Sequence, residues 1–62
     1  MNDGQIIEWI AEHLNGMLVT PYGHLEIKYI DDTGHENVHY ELNDGNESPT
    51  ELLKRTVAKI VG

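Results

Sequence analysis

The chain has 62 residues, no cysteine, and 11 Asp and Glu residues against 4 Lys and Arg, which gives a formal net charge of -7. A chain this short forms one domain at most and buries only about 60 % of its unfolded surface, so residues 1–62 are predicted to be a single domain of marginal stability. Without cysteine, neither a disulfide nor a cysteine-based zinc site can stabilise it. Self-association is a remaining means of stabilisation.

The sequence carries no signal for a membrane. No apolar run approaches the ~20 residues of a membrane span. The first residues lack the basic region of a secretory signal, and the absence of cysteine fits a reducing compartment. We therefore expect a cytoplasmic protein with no membrane contact.

The charge is unevenly distributed along the chain. Residues 1–50 hold ten acidic residues and one basic residue, a net -9, whereas residues 51–62 hold one acidic and three basic residues, a net +2. A strongly negative segment repels phosphate, so direct nucleic-acid binding is not expected. The expected partner is a protein with a basic surface.

A helix is predicted first, over residues 3–15. Asp3 can act as its N-cap, because a side-chain oxygen there accepts the unpaired amide hydrogens of the first turn. Apolar residues then recur at helical spacing. The Asn15-Gly16 pair predicts the end of the helix, since Gly adopts the left-handed conformation found there.

Three strands are predicted next, over residues 17–20, 24–31 and 36–42, from alternation of apolar and polar residues. We expect a two-residue loop at Pro21-Tyr22 and an even-numbered loop around Thr33-Gly34. Even loops put apolar residues opposite one another, whereas a slip of one residue opposes apolar to polar. The predicted opposed pairs are Leu18 with Leu25, Leu25 with Leu42, Ile27 with Tyr40, and Tyr29 with Val38.

The last predicted element is a helix over residues 49–61. Ser48, Pro49 and Glu51 form the pattern of a capping box with Pro at the first helical position. The expected fold is α+β, a small single-layer α-β-β-β-α arrangement with two helices packed on one face of a three-stranded antiparallel meander. The predicted core is Ile6, Ile10, Leu14, Leu18, Leu25, Ile27, Tyr29, Val38, Tyr40, Leu42, Leu53, Val57 and Ile60.

The other face of the predicted sheet has no element left to cover it. Exposed apolar residues on an uncovered sheet face often form an interface. We expect this face to support self-association or partner docking, with a homodimer as the expected assembly. The residues predicted to form it are Met17, Val19, His24, Ile30 and His39.

Acidic residues are densest in the hairpin and the loop after it, with no basic residue among them. They predict a surface that binds a protein partner, and the expected function is a small acidic binding module that regulates or inhibits that partner. The alternative is a nucleic-acid mimic, as in counter-defence inhibitors of phages and mobile elements, that blocks a basic nuclease or DNA-binding protein. The residues predicted to bind are Asp31, Asp32, Glu36, Asp44 and Glu47.

Catalysis is not expected. Asp32-Thr33-Gly34 matches the triplet of aspartic proteases, but those enzymes need two such aspartates in an apolar setting, and a hairpin turn explains this one. There is no cysteine nucleophile, and the single serine, Ser48, is used as a helix cap. We expect a non-enzymatic protein without a cofactor.

Four histidines raise a second alternative, a small metal-binding protein. His35 and His39 have the i, i+4 spacing of a helical zinc site, but on a strand this spacing separates them by roughly 13 Å. His24 could approach His39 across neighbouring strands, with Glu26 and Glu41 on the same face. Solvated polar residues are the favoured interpretation, so no metal is expected.

Overall fold

The chain folds as two helices and three strands. The computed structural model describes residues 1–62, and the strands form one antiparallel sheet in the order β1-β2-β3. Both helices pack on the same face of the sheet, which confirms the predicted α+β class and element order. Neither helix has the length and apolar character needed to cross a bilayer. The elements are α1 (Asp3–His13), β1 (Leu14–Val19), β2 (Leu25–Ile30), β3 (Glu36–Glu41) and α2 (Pro49–Val61).

The first helix begins at Asp3 as expected, but it has a different N-cap and ends earlier. Its N-cap is Asn2, not Asp3. The Asn2 side chain accepts a 2.9 Å hydrogen bond from the Gln5 amide, and the Gln5 side chain accepts one of 2.9 Å from the Asn2 amide. The helix ends at His13, so the predicted stop at Asn15-Gly16 is wrong. Those two residues lie in β1, where the register shifts because an extra residue forms a bulge.

The two hairpin turns are built in the same way, Thr20 to His24 and Asp31 to His35. In each, the amide of the first residue donates to the carbonyl of the histidine, at 2.9 Å, and the glycine amide donates to the first residue's carbonyl. The histidine amide donates to a side-chain oxygen of the first residue, at 3.0 Å in both turns. Gly23 and Gly34 have φ of 81° and 86°, the left-handed conformation that a three-residue hairpin loop requires at its last position.

Three-residue loops shift both strand pairings by one residue from the prediction. Ile27 lies opposite Met17 and His39, and Leu25 lies opposite Val19 and Glu41. The predicted even loops and apolar pairs are therefore wrong. The physical reason is that the hydrogen bonds within each turn fix an odd number of loop residues, and this sets the register of the strands that follow.

The hydrophobic core is small. Leu25, Ile27 and Leu52 form its centre and are at most 1 % exposed. Four residues predicted to be in the core are instead more than half exposed, because the shift of register turns them away from the helices. They are Leu18, Val38, Tyr40 and Leu42. Only seven of 62 residues are buried, namely Ile6, Leu25, Ile27, Glu41, Leu52, Thr56 and Val57.

Candidate functional site

The side of the sheet away from the helices, called the open face from here on, carries three apolar strand residues that are more than half exposed. Leu42, which follows the inward-facing Glu41 at the end of β3, extends this group. Leu18, Val38, Tyr40 and Leu42 are 58 %, 61 %, 51 % and 56 % exposed. The first three pair with Glu26 or Lys28 of β2, which point away from the buried Leu25 and Ile27. Together the four residues expose on the order of 450 Å², comparable to the largest apolar patch of a typical monomer, and Glu26 and Lys28 of β2 lie between Leu18 and the other three.

The open face contains only two of the residues predicted for it. Ile30 lies there because it alternates with the inward-facing Tyr29, and the His24 ring lies 6.0 Å from the Tyr40 ring. Met17, Val19 and His39 lie on the helix side instead, since they pair with Ile27 or Leu25. Their predicted place on the uncovered face is wrong, because it assumed the even-loop register.

Charged residues lie among the apolar residues of the open face. Lys28 is exposed in the middle of β2, between Glu26 and Ile30. None of the chain's ion pairs involves Lys28. Its aliphatic stem lies over Gly16, where an added Cβ would be 3.9 Å from the Lys28 Cβ. A depression of about 340 Å³ surrounds Gly16 and is bounded in part by Leu18, Glu26 and Lys28.

Three of the predicted acidic residues form what we call the acidic hairpin end. Asp31 and Asp32 lie in the β2–β3 turn, and Glu36 begins β3 opposite Ile30, at the border of the open face. Asp31 holds the turn together. Its carboxylate accepts hydrogen bonds from the Thr33 hydroxyl, the Asn37 amide group and the His35 backbone amide. These bonds, the one from Thr33 first, hold the pKa of Asp31 well below its usual range. Asp31 is therefore a structural residue that also contributes charge.

The other two predicted acidic residues lie at the opposite end of the sheet. Asp44 and Glu47 follow β3 in the chain, whereas Glu36 begins it, and the length of the strand separates them by roughly 17 Å at about 3.4 Å per residue. Glu47 is also paired, since Arg55 donates to its two oxygens at 2.9 and 2.8 Å. This lowers the pKa of Glu47. The five acidic residues therefore do not form one surface.

His13 connects the end of α1 to the acidic hairpin end, a contact that the sequence did not reveal. Its Nδ1 lies 3.1 Å from the Trp9 carbonyl oxygen, and its Nε2 lies 3.0 Å from Asp32 Oδ1. Both neighbours are acceptors, so the two contacts are both hydrogen bonds only when both ring nitrogens carry a proton, and the site favours the imidazolium form. The bond to Asp32 raises the pKa of His13, and the ring stacks on Trp9 at 5.0 Å.

A buried ion-pair network joins β3 to α2 around Glu41, whose side chain is only 8 % exposed. His39 donates to one of its oxygens at 2.8 Å, and Arg55 and Lys59 donate to the other at 2.9 and 3.3 Å. The bonds from His39, then from Lys59 and Arg55, lower the pKa of Glu41 to about 2, against desolvation that raises it. The network fixes α2 on the sheet and lies away from the open face.

The four residues considered as an alternative metal site do not come together. His24 and Glu26 belong to the open face, whereas His39 and Glu41 face the helices. No group of three or more His, Cys, Asp or Glu side chains lies close enough to hold a metal ion. The shift of register that exposes Val38 and Tyr40 also separates these residues.

No family model, curated protein or solved structure matches this chain. Its function is therefore inferred from its own surfaces. Two of them face solvent without a covering element, the apolar open face and the acidic hairpin end. Such surfaces can bind other molecules through apolar contact and through charge attraction.

Proposed function

We propose that this chain is a small acidic, non-enzymatic binding module that forms a homodimer through its open face and regulates or inhibits a protein with a basic surface. The observation that carries the proposal is the group of more than half-exposed apolar side chains on a sheet face that no element covers. They are Leu18, Val38, Tyr40 and Leu42. The cytoplasmic location stays a prediction from the sequence.

A second copy of the chain is the occupant that the open face favours. With seven buried residues, the single chain has little core, and stacking two sheets face to face adds an apolar layer about 10 Å thick. The four apolar side chains alone remove roughly 900 Å² from water in a pair, close to the lower end of stable interfaces at about 1,200 Å². The surrounding residues of the face supply the remainder.

The dimer is tested by placing a charge on the open face. Wild-type protein at tens of micromolar is expected to sediment as a dimer, and Val38→Glu as a monomer. Stacking would remove the new carboxylate from water, at a cost that its cross-strand neighbour Lys28 offsets only in part. The matched control is Met17→Glu, since Met17 is 51 % exposed on the helix side of edge strand β1, and this variant should remain a dimer. A monomeric wild type, or a dimeric Val38→Glu, would overturn the homodimer.

The acidic hairpin end is the surface that we propose for the basic partner. The Asp32 side chain is 96 % exposed and contacts only His13 among the cationic groups. Glu36 is exposed and takes part in none of the chain's ion pairs. Exposed charges of this kind attract and orient a partner of opposite charge.

Charge-neutral variants test this contact. The wild-type chain is used to isolate a partner from its host, and the purified pair is then measured at low and high salt. Asp32→Asn with Glu36→Gln should weaken binding at least about tenfold at low salt, and added salt should weaken the wild-type complex. Asp31 is left unchanged because it holds the turn. Asp44→Asn with Glu51→Gln is the control.

Two results would decide between the alternatives. An affinity for the partner that changes neither with added salt nor in the double variant would contradict a role for the acidic hairpin end. Competition between this chain and DNA for the same partner would identify it as a nucleic-acid mimic.

A further inference from the structure

Residues that lie side by side across the three strands form rows on the open face, and two neighbouring rows are complementary in charge and shape. The register places Leu18, Glu26 and Tyr40 side by side across the three strands. The next row on the same face is Gly16, Lys28 and Val38. Between the two rows lies the row of Ile27, whose side chain points into the core.

We infer that the open face pairs with itself about a two-fold axis that passes over Ile27 and runs across the strands. This inference rests on the proposed homodimer and specifies its geometry. Rotation about such an axis places each row of one copy over the other row of the second copy. Every contact then occurs twice, as a closed two-fold interface requires.

The charges of the two rows match in this arrangement. Lys28 of each copy lies over Glu26 of the other, and both side chains are long enough to meet across sheets about 10 Å apart. Within one chain Lys28 has no ion pair, so its ammonium group is free for this contact. Two intermolecular ion pairs form in each dimer.

The shapes match as well. Leu18, 58 % exposed, lies over Gly16 of the other copy, where the depression of about 340 Å³ can take its side chain. Tyr40 lies over Val38 of the other copy, so two exposed apolar residues cover each other. The space that Leu18 fills is the part of this depression left open beside the Lys28 stem.

Other two-fold axes fail to match the charges. An axis along β2 places Lys28 over Lys28 and Glu26 over Glu26. An axis across the strands at Lys28 again places Lys28 of one chain over Lys28 of the other. An axis across the strands at Tyr29 places Lys28 of one chain over Ile30 of the other. Like charges brought together oppose association, and the axis at Tyr29 leaves Lys28 without a carboxylate opposite it. Of these four axes, the one over Ile27 is therefore the arrangement that the charges favour.

The test reverses the charges singly and together. Lys28→Glu and Glu26→Lys should each raise the dissociation constant of the dimer at least about 100-fold, because each creates two like-charge contacts. An equimolar mixture of the two variants should form a heterodimer, since both of its contacts are again between opposite charges. The chain that carries both changes should form a homodimer. Sedimentation equilibrium measures all four, and circular dichroism checks that each variant is folded.

The Glu26→Lys variant separates this inference from a general charge effect. It lowers the net negative charge of the chain, so dimerisation limited only by overall repulsion would become stronger. Weaker dimerisation, with recovery in the mixture, supports the axis over Ile27. A wild-type dimer that Val38→Glu breaks, but whose charge variants do not recover on mixing, would overturn the axis and leave the homodimer in place. A monomeric wild type would overturn both.

Discussion

Replacing Ile27 by Thr is expected to lower the free energy of unfolding by about 3 kcal/mol. Ile27 is fully buried beside Leu25 and Leu52, and the change both leaves a cavity and buries a hydroxyl group without a partner. A core of this size supports roughly 3–5 kcal/mol in total. The variant should therefore retain at most about 2 kcal/mol of stability at 25 °C, which urea titration followed by circular dichroism measures.

The matched control is Val38→Thr on the opposite face of the sheet. It introduces the same β-branched residue, so strand propensity is preserved. Because Val38 is 61 % exposed, the free energy of unfolding should change by at most about 0.5 kcal/mol. The measurement uses protein diluted below the dissociation constant of the dimer. Equal losses in both variants would contradict the assignment of the two faces.

Replacing Glu41 by Gln is expected to lower the free energy of unfolding at pH 7 by about 2 kcal/mol, the scale of a buried hydrogen bond to a charged group. The carboxylate has three donors, His39, Arg55 and Lys59. The loss is smaller than for a fully buried ion pair because the Lys59 side chain remains 61 % exposed. Glu8→Gln, an exposed change on α1, should have no measurable effect.

The effect of Glu41 also predicts a pH dependence. Its pKa in the folded protein is about 2, below the ordinary value of 4.5, so the ionised carboxylate stabilises the fold above pH 4.5. This contribution is lost as the pH falls from 4.5 to about 2. The difference in unfolding free energy between the wild type and Glu41→Gln should therefore shrink over that range. A difference that stays constant would contradict the ion-pair network.

The order of helices and strands is predictable because each element carries its own local signal. Alternation marks the strands, and Ser48 followed by Pro49 marks the start of α2. The register between strands is harder to predict, because either set of alternating β3 side chains can face the helices. Burial of apolar surface alone favours Val38 and Tyr40 on the helix side. The opposite orientation is stabilised because Arg55 and Lys59 on α2 pair with Glu41. Alternation within a strand contains no information about those partners.

The register was nevertheless encoded in the turns. Thr20 and Asp31 each stand three residues before a glycine, a spacing that indicates a three-residue loop with the glycine in the left-handed conformation. Matching apolar pairs predicts a register that differs by one residue from the observed one in both hairpins, so turn chemistry outweighs burial here. The uncovered face was foreseen correctly as a feature of the fold, but most of its apolar residues were not.

His13 shows a second limit of sequence patterns. It falls at helical spacing among apolar residues, which indicates only that it faces the core. Its pairing with Asp32 depends on how the β2–β3 turn meets the end of α1, and these residues are 19 positions apart. Contacts between residues so far apart along the chain depend on how whole helices and strands pack. Residue spacing within one element does not determine that packing.

The position of Val38 and Tyr40 on the open face depends on the register between β2 and β3, which nuclear Overhauser effects measure directly. Asp31 and His35 close the turn as a hydrogen-bonded pair. The next pair, Ile30 with Glu36, is therefore not hydrogen-bonded, and every second pair after it is of the same kind. In such pairs the Cα atoms lie closest to each other. Strong Hα–Hα signals are predicted for two of these pairs, Lys28 with Val38 and Glu26 with Tyr40. Signals joining Ile27 to Tyr40, or Tyr29 to Val38, would contradict the open face as described.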